Sequence, residues 1–78
     1  MEFLVVAIKD KATERFMQPI FVETRQAAVR WFNHIITTTE MFKDNPQDFE
    51  LWQLGTFDDK LGIYGTGDND LITKGKEQ

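Results

Sequence analysis

Side chains able to attack, to shuttle a proton or to hold a metal are few in this chain. It has no cysteine and no serine, and its single histidine is His34. Thr37, Thr38 and Thr39 fall in a stretch of helical periodicity with no base spaced to activate them, so they read as helix-surface hydroxyls. A metal-ligating His34 would want a histidine or carboxylate one helical turn on, where the chain has Thr37 and Thr38. The carboxylates of Asp44, Asp48, Glu50, Asp58 and Asp59 read as turn and surface charge. Asp68-Asn69-Asp70 resembles a fragment of a calcium loop, but the glycine and closing glutamate of such a loop are missing. Gly62, Gly65 and Gly67 precede neither a helix nor the lysine of a phosphate-binding loop, so they read as turn glycines. These observations predict a protein that is not an enzyme and takes no cofactor or metal.

A second pattern carries more. Lys9, Lys11, Arg15, Arg25 and Arg30 are interleaved with Phe16, Phe21, Trp31, Trp52 and Tyr64. Cations along a strand of phosphates, with rings on which bases stack, are what single-stranded nucleic acid requires of a protein. The competing use of the rings is the interior, because a domain this small needs them there. Lys9, Lys11, Arg15, Arg25, Arg30 and Trp31 are the candidate nucleic-acid contacts. Arg30 is the strongest, being mid-helix on the polar face where no core role explains it; the alternative is a solvated or ion-paired residue.

The chain has 78 residues, enough for one core and no more. Ten are aromatic (seven Phe, two Trp, one Tyr), which argues against disorder. Without cysteine it has no disulfide framework. Net charge is −4, which argues against nucleic-acid binding by bulk charge. The charge is uneven: residues 1–43 hold six Lys/Arg against five Asp/Glu, and residues 44–78 hold three against eight. A local basic face on the first half is compatible with that balance. The apolar run from Phe3 to Ile8 is too short to cross a bilayer, so no membrane association is expected.

The elements that must position these residues can be read in order. Glu2 to Lys9 is a strand apolar on both faces. Asp10 to Glu14 is a turn. Arg15 to Glu23 is a second strand, placed by Pro19 at an edge or with a bulge. Thr24 caps a helix from Arg25 to about Met41, with Ala28, Phe32, Ile35, Thr39 and Phe42 on its apolar stripe. Asp44-Asn45-Pro46 ends it. Phe49 to Phe57 is a third strand, with Phe49, Leu51, Gln53 and Phe57 on one face and Glu50, Trp52, Leu54 and Thr56 on the other. Asp58 to Gly62 is a hairpin turn, and a short fourth strand starts at Ile63-Tyr64. The expected fold is α+β: an antiparallel four-stranded sheet in ββαββ order with one amphipathic helix on one face. The domain is expected over residues 1–65, with a polar, loosely ordered tail over 66–78. One helix covers one face only. The uncovered face leaves apolar side chains for a partner, and a homodimer would relieve a thin core.

Several segments, taken in order, resemble the small nonstructural protein family of the gokushovirus-type microviruses, which are single-stranded-DNA phages. Val6-Ala7-Ile8-Lys9-Asp10-Lys11 is similar to that family's first strand end. Phe16-Met17-Gln18-Pro19-Ile20-Phe21 is similar to its F-x-x-P-F segment, and Ala27-Ala28-Val29-Arg30-Trp31-Phe32 to its A-x-R-x-F helix. The most specific stretch runs from Asn45 to Asp58 and resembles a P-x-D-F-x-L-x-x-L-G-x-F-D core; Leu71 to Gly75 is similar to the closing segment. The resemblance implies a DNA-binding phage protein without enzymatic activity, acting in the host cytoplasm. Its role would be in viral single-stranded DNA synthesis or in handling the genome for packaging. Two expectations follow. In one, a homodimer presents the candidate cations to single-stranded DNA. In the other, the chain is an interaction module that docks on a host replication factor or a viral assembly partner.

Overall fold

A computed structural model describes residues 1–75. The elements are β1 (Glu2–Asp10), β2 (Arg15–Phe16), β3 (Ile20–Val22), α1 (Arg25–Thr38), α2 (Glu40–Lys43), a 3₁₀ turn (Pro46–Asp48), β4 (Phe49–Asp58) and β5 (Ile63–Lys74). The α+β class is as expected, with one antiparallel sheet and one main helix.

The sheet has five strands rather than four. Pro19 lacks the N–H a ladder needs, and it divides the expected second strand into β2 and β3. Both pair with β1, so across the sheet the order is β2/β3, β1, β4, β5. Lys9 faces Phe16 and Val6 faces Ile20, which leaves one extra residue on the partner strand between those pairs. That is the bulge Pro19 called for, and it lies on an edge.

Thr24 caps α1 as expected: its hydroxyl accepts from the Ala27 N–H at 3.0 Å. The helix is shorter than expected and stops at Thr38, with Thr39 extended at φ −96°, ψ 126°. The hydroxyls of Thr37 and Thr38 bond back to the carbonyls of Asn33 and His34 at 2.8 and 2.7 Å. β-Branched residues that bond their own backbone make poor helix interiors, and three in a row end this one. The chain resumes in α2, which delivers Phe42 into the core at 4.5 Å from Phe49, edge to face.

The core lies between α1 and one face of the sheet. Val6, Ile8 and Leu51 from the strands meet Ala28, Phe32 and Ile36 from the helix, and Phe32 is wholly buried. Ile35, expected on the central stripe, is half-buried on its flank, as is Trp31.

The third strand departs from simple alternation. The register of β4 slips at Leu54 against both neighbours. Phe57 therefore pairs with Phe3, on the same face as Trp52 and Ala7, rather than on the face of Leu51.

The expected loose tail is not what residues 66–74 form. They continue β5 along β4, and Gly75 is buried, its N–H donating to the Phe49 carbonyl at 2.8 Å. The Gly- and Asp-rich composition conceals this strand, because most of its side chains are polar or absent. Its apolar pair divides between the faces, Ile72 packing on the core and Leu71 pairing with Trp52. The last three residues of the expected tail, 76–78, lie outside the described residues.

Candidate nucleic-acid interface

The helix covers one face of the sheet; the other is bare and carries rings. Strand alternation places Lys9 of β1, Phe16 of β2 and Trp52 of β4 on this bare face. The Lys9 ammonium lies 5.6 Å from the centroid of each ring. The two rings meet edge to face, centroids 6.2 Å apart at 82°. Such a cation–π arrangement fixes the lysine over the rings while leaving its N–H groups to a ligand. Phe16 is 39% exposed.

Under this group lies Glu50, the one charged side chain buried among the described residues. Its carboxylate accepts from the Trp52 indole N–H at 3.1 Å. In register, Lys9 and Lys74 flank it from the two neighbouring strands. A buried carboxylate needs a partner, and the indole N–H supplies one. The same end of the sheet brings in Lys11, exposed in the turn after β1, whose N–H donates to the Asp48 carbonyl at 2.9 Å. Arg15, exposed on the edge strand β2, pairs in register with Asp10.

At the other end of the bare face a second group of rings forms. Phe21 stacks on Phe57 with centroids 5.2 Å apart at 13°, and Tyr64 lies 4.8 Å from Phe57.

The structure therefore sets Lys9 and Lys11 at one end of the sheet with Arg15 at the same end, Arg15 alternating with Asp10 onto the helix side, and leaves the other three candidates elsewhere. Arg25 and Arg30 are on α1, across the sheet from Lys9. Arg25 is engaged, its Nε donating to Gln53 Oε1 at 3.2 Å and its guanidinium paired with Asp70. Arg30 is exposed on the helix surface beside Arg25, Val29 and Asn33. Trp31 packs against the core at its margin and lines a surface cavity with Ile8, Met17, Ile35 and Phe42, so its ring lies on the interior side of the sheet. Glu50 and Lys74 were not among the candidates. Their signal is the cross-strand register with Lys9, which appears only once β1, β4 and β5 are known to be neighbours.

Among the described residues no group of three His, Cys, Asp or Glu could hold a metal ion. A family of phage proteins described as Phage ORF5 protein matches residues 3–78. The chain belongs to that family. No curated protein and no solved structure matches it. Membership makes it a phage protein, in keeping with the resemblance in the sequence to a small phage protein. Among the described residues no helix is long and apolar enough to cross a membrane.

Proposed function

We propose that this phage protein is a non-enzymatic binder of single-stranded DNA, acting in viral DNA synthesis or in handling the genome for packaging in the host cytoplasm. The observation that carries the reading is the Lys9 ammonium poised over the exposed Phe16 ring and the half-buried Trp52 ring. A single strand can lay unstacked bases on such rings while the lysine meets a phosphate; a duplex keeps its base faces covered. Lys11 extends the positive end of the face, Arg15 adds charge at its edge from the helix side, and Lys74 stands in register beside Glu50. The acidic balance of the whole chain fits a local rather than a bulk electrostatic footprint. Phage family membership and the resemblance to microvirus nonstructural proteins support the viral role. The homodimer expected from the uncovered apolar face is kept with this reading.

The test is fluorescence anisotropy of a labelled single-stranded oligonucleotide at two salt concentrations, with Lys9→Ala and Trp52→Ala alongside the parent chain. Binding that weakens with salt and fails in both variants supports the reading. No binding at low salt would overturn it and turn attention to a viral or host replication protein as the partner.

A further inference from the structure

The bare sheet face is not uniform along its length. Its Lys9 end is charged: Lys9, Glu50 and Lys74 form one cross-strand row. Its other end is not. Phe3 and Val5 of β1, Phe21 of β3, Phe57 of β4, and Tyr64 and Thr66 of β5 share that half by register, and none carries a charge. Glu2 and Asp58, at the ends of β1 and β4, face each other in register and alternate onto the helix side, Asp59 beyond them is paired with the Met1 ammonium at 2.8 Å, and Glu23 lies just past the end of β3, so these charges sit at the rim of this half. The rings there are nonetheless open to solvent, Phe21 being 48% and Tyr64 64% exposed.

We infer that this uncharged half is the contact surface for a second copy of this chain, and that the resulting dimer leaves the two Lys9–Phe16–Trp52 halves free at opposite ends. The inference rests on the DNA-binding reading only for what those free halves do. A polyanion gains little from a half-face without a cation. Aromatic, charge-depleted patches are instead what the centre of a protein interface is made of. A two-fold contact sets a patch against itself. Each chain carries −4, and two copies meeting through their Lys9 halves would place lysine against lysine. The uncharged half meets its own copy without that repulsion. The rings are already stacked on one another, so little side-chain freedom is lost on contact.

Size sets the strength. Half of the molecule's 41 by 22 Å outline sets an upper bound of roughly 450 Å² per copy, or about 900 Å² in all, under the floor of stable interfaces. The dimer is therefore weak and concentration-dependent. On a long strand its two free halves act together, and the second contact becomes intramolecular.

The experiment is sedimentation velocity of the full chain over a concentration series, beside Tyr64→Lys and Thr66→Lys. The second variant adds a charge without removing a ring, and circular dichroism melts report whether each folds. The expected result is a monomer–dimer equilibrium in the parent and monomer in both folded variants. Binding of an oligonucleotide long enough for one site only should be unchanged in the variants. Binding of one long enough for two should weaken by roughly tenfold or more. A parent chain monomeric to about 1 mM, or a dimer that survives both lysines, would overturn the inference and leave this half to some other partner. Loss of short-oligonucleotide binding in a folded Thr66→Lys variant would also overturn it, since the half would then be part of the DNA surface. Dimerisation without DNA binding by any species would overturn the DNA reading alone.

Discussion

The indole N–H of Trp52 donates to the carboxylate of Glu50 at 3.1 Å, two residues away on the same face of β4. The bond anchors a ring that also meets Phe16 edge to face and Lys9. It also gives a buried carboxylate a donor it would lack. Glu50→Ala should lower stability by about 1–3 kcal/mol, the usual cost of removing a charged hydrogen-bond partner in a buried site. Glu50→Gln keeps an oxygen to accept from the indole and should recover much of the loss. Urea unfolding measures both. In a Trp31→Phe background the Trp52 emission should shift in the alanine variant and hold in the glutamine one. Equal behaviour of the two variants would mean that the indole bond orients nothing.

Base stacking is worth about 1–3 kcal/mol per base. Trp52→Ala and Phe16→Ala should each weaken binding of single-stranded DNA by about 5- to 150-fold if each ring holds one base. Trp31→Phe should leave affinity within about twofold, because its ring packs against the core. Anisotropy titrations decide this, and a Trp31 effect as large as that of Trp52 would move the surface to the helix side.

Salt dependence separates the two sets of cations. Each phosphate neutralised on a single strand contributes about −0.7 to the slope of log K against log salt. Lys9→Ala should make the slope shallower by about that amount. Arg30→Ala should leave the slope unchanged, its side chain being on the far side of the sheet from Lys9. Arg25→Ala should leave it unchanged too, and its exposed pairing with Asp70 should cost no more than about 1 kcal/mol of stability. A slope that responds to Arg30 and not to Lys9 would place DNA on α1.

Gly75 closes the sheet against the 3₁₀ turn. A Cβ at this position would lie 1.8 Å from the Pro46 carbonyl oxygen. Gly75→Ala must push β5 away from that turn, at a cost of about 1–3 kcal/mol or more. Gly67→Ala meets nothing within 4 Å and should be tolerated far better. Thermal melts of the two variants give the comparison, and equal melting temperatures would show that the end of β5 does not dock.

Some of this was written in the sequence. Phe3 to Ile8 is a strand wherever it is placed, because β-branched and aromatic residues run through it. Thr24 and the spacing of Ala28 and Phe32 define a capped amphipathic helix from local chemistry alone. Pro19 announced a broken edge strand, since a missing N–H acts locally. That one sheet face would stay bare followed from there being one long helix to cover it. Which residues share that face was decided by the tertiary structure. The slip at Leu54 turned Phe57 toward Trp52, and a register slip is settled by the partner strands, not by the pattern of the slipping one. Trp31 and Trp52 have the same chemistry, yet packing against the helix-side core assigned one to the core margin and pairing with Ala7 assigned the other to the bare face. The polar stretch after Gly65 became a strand because its hydrogen bonds come from β4, and backbone pairing leaves little trace in side-chain composition.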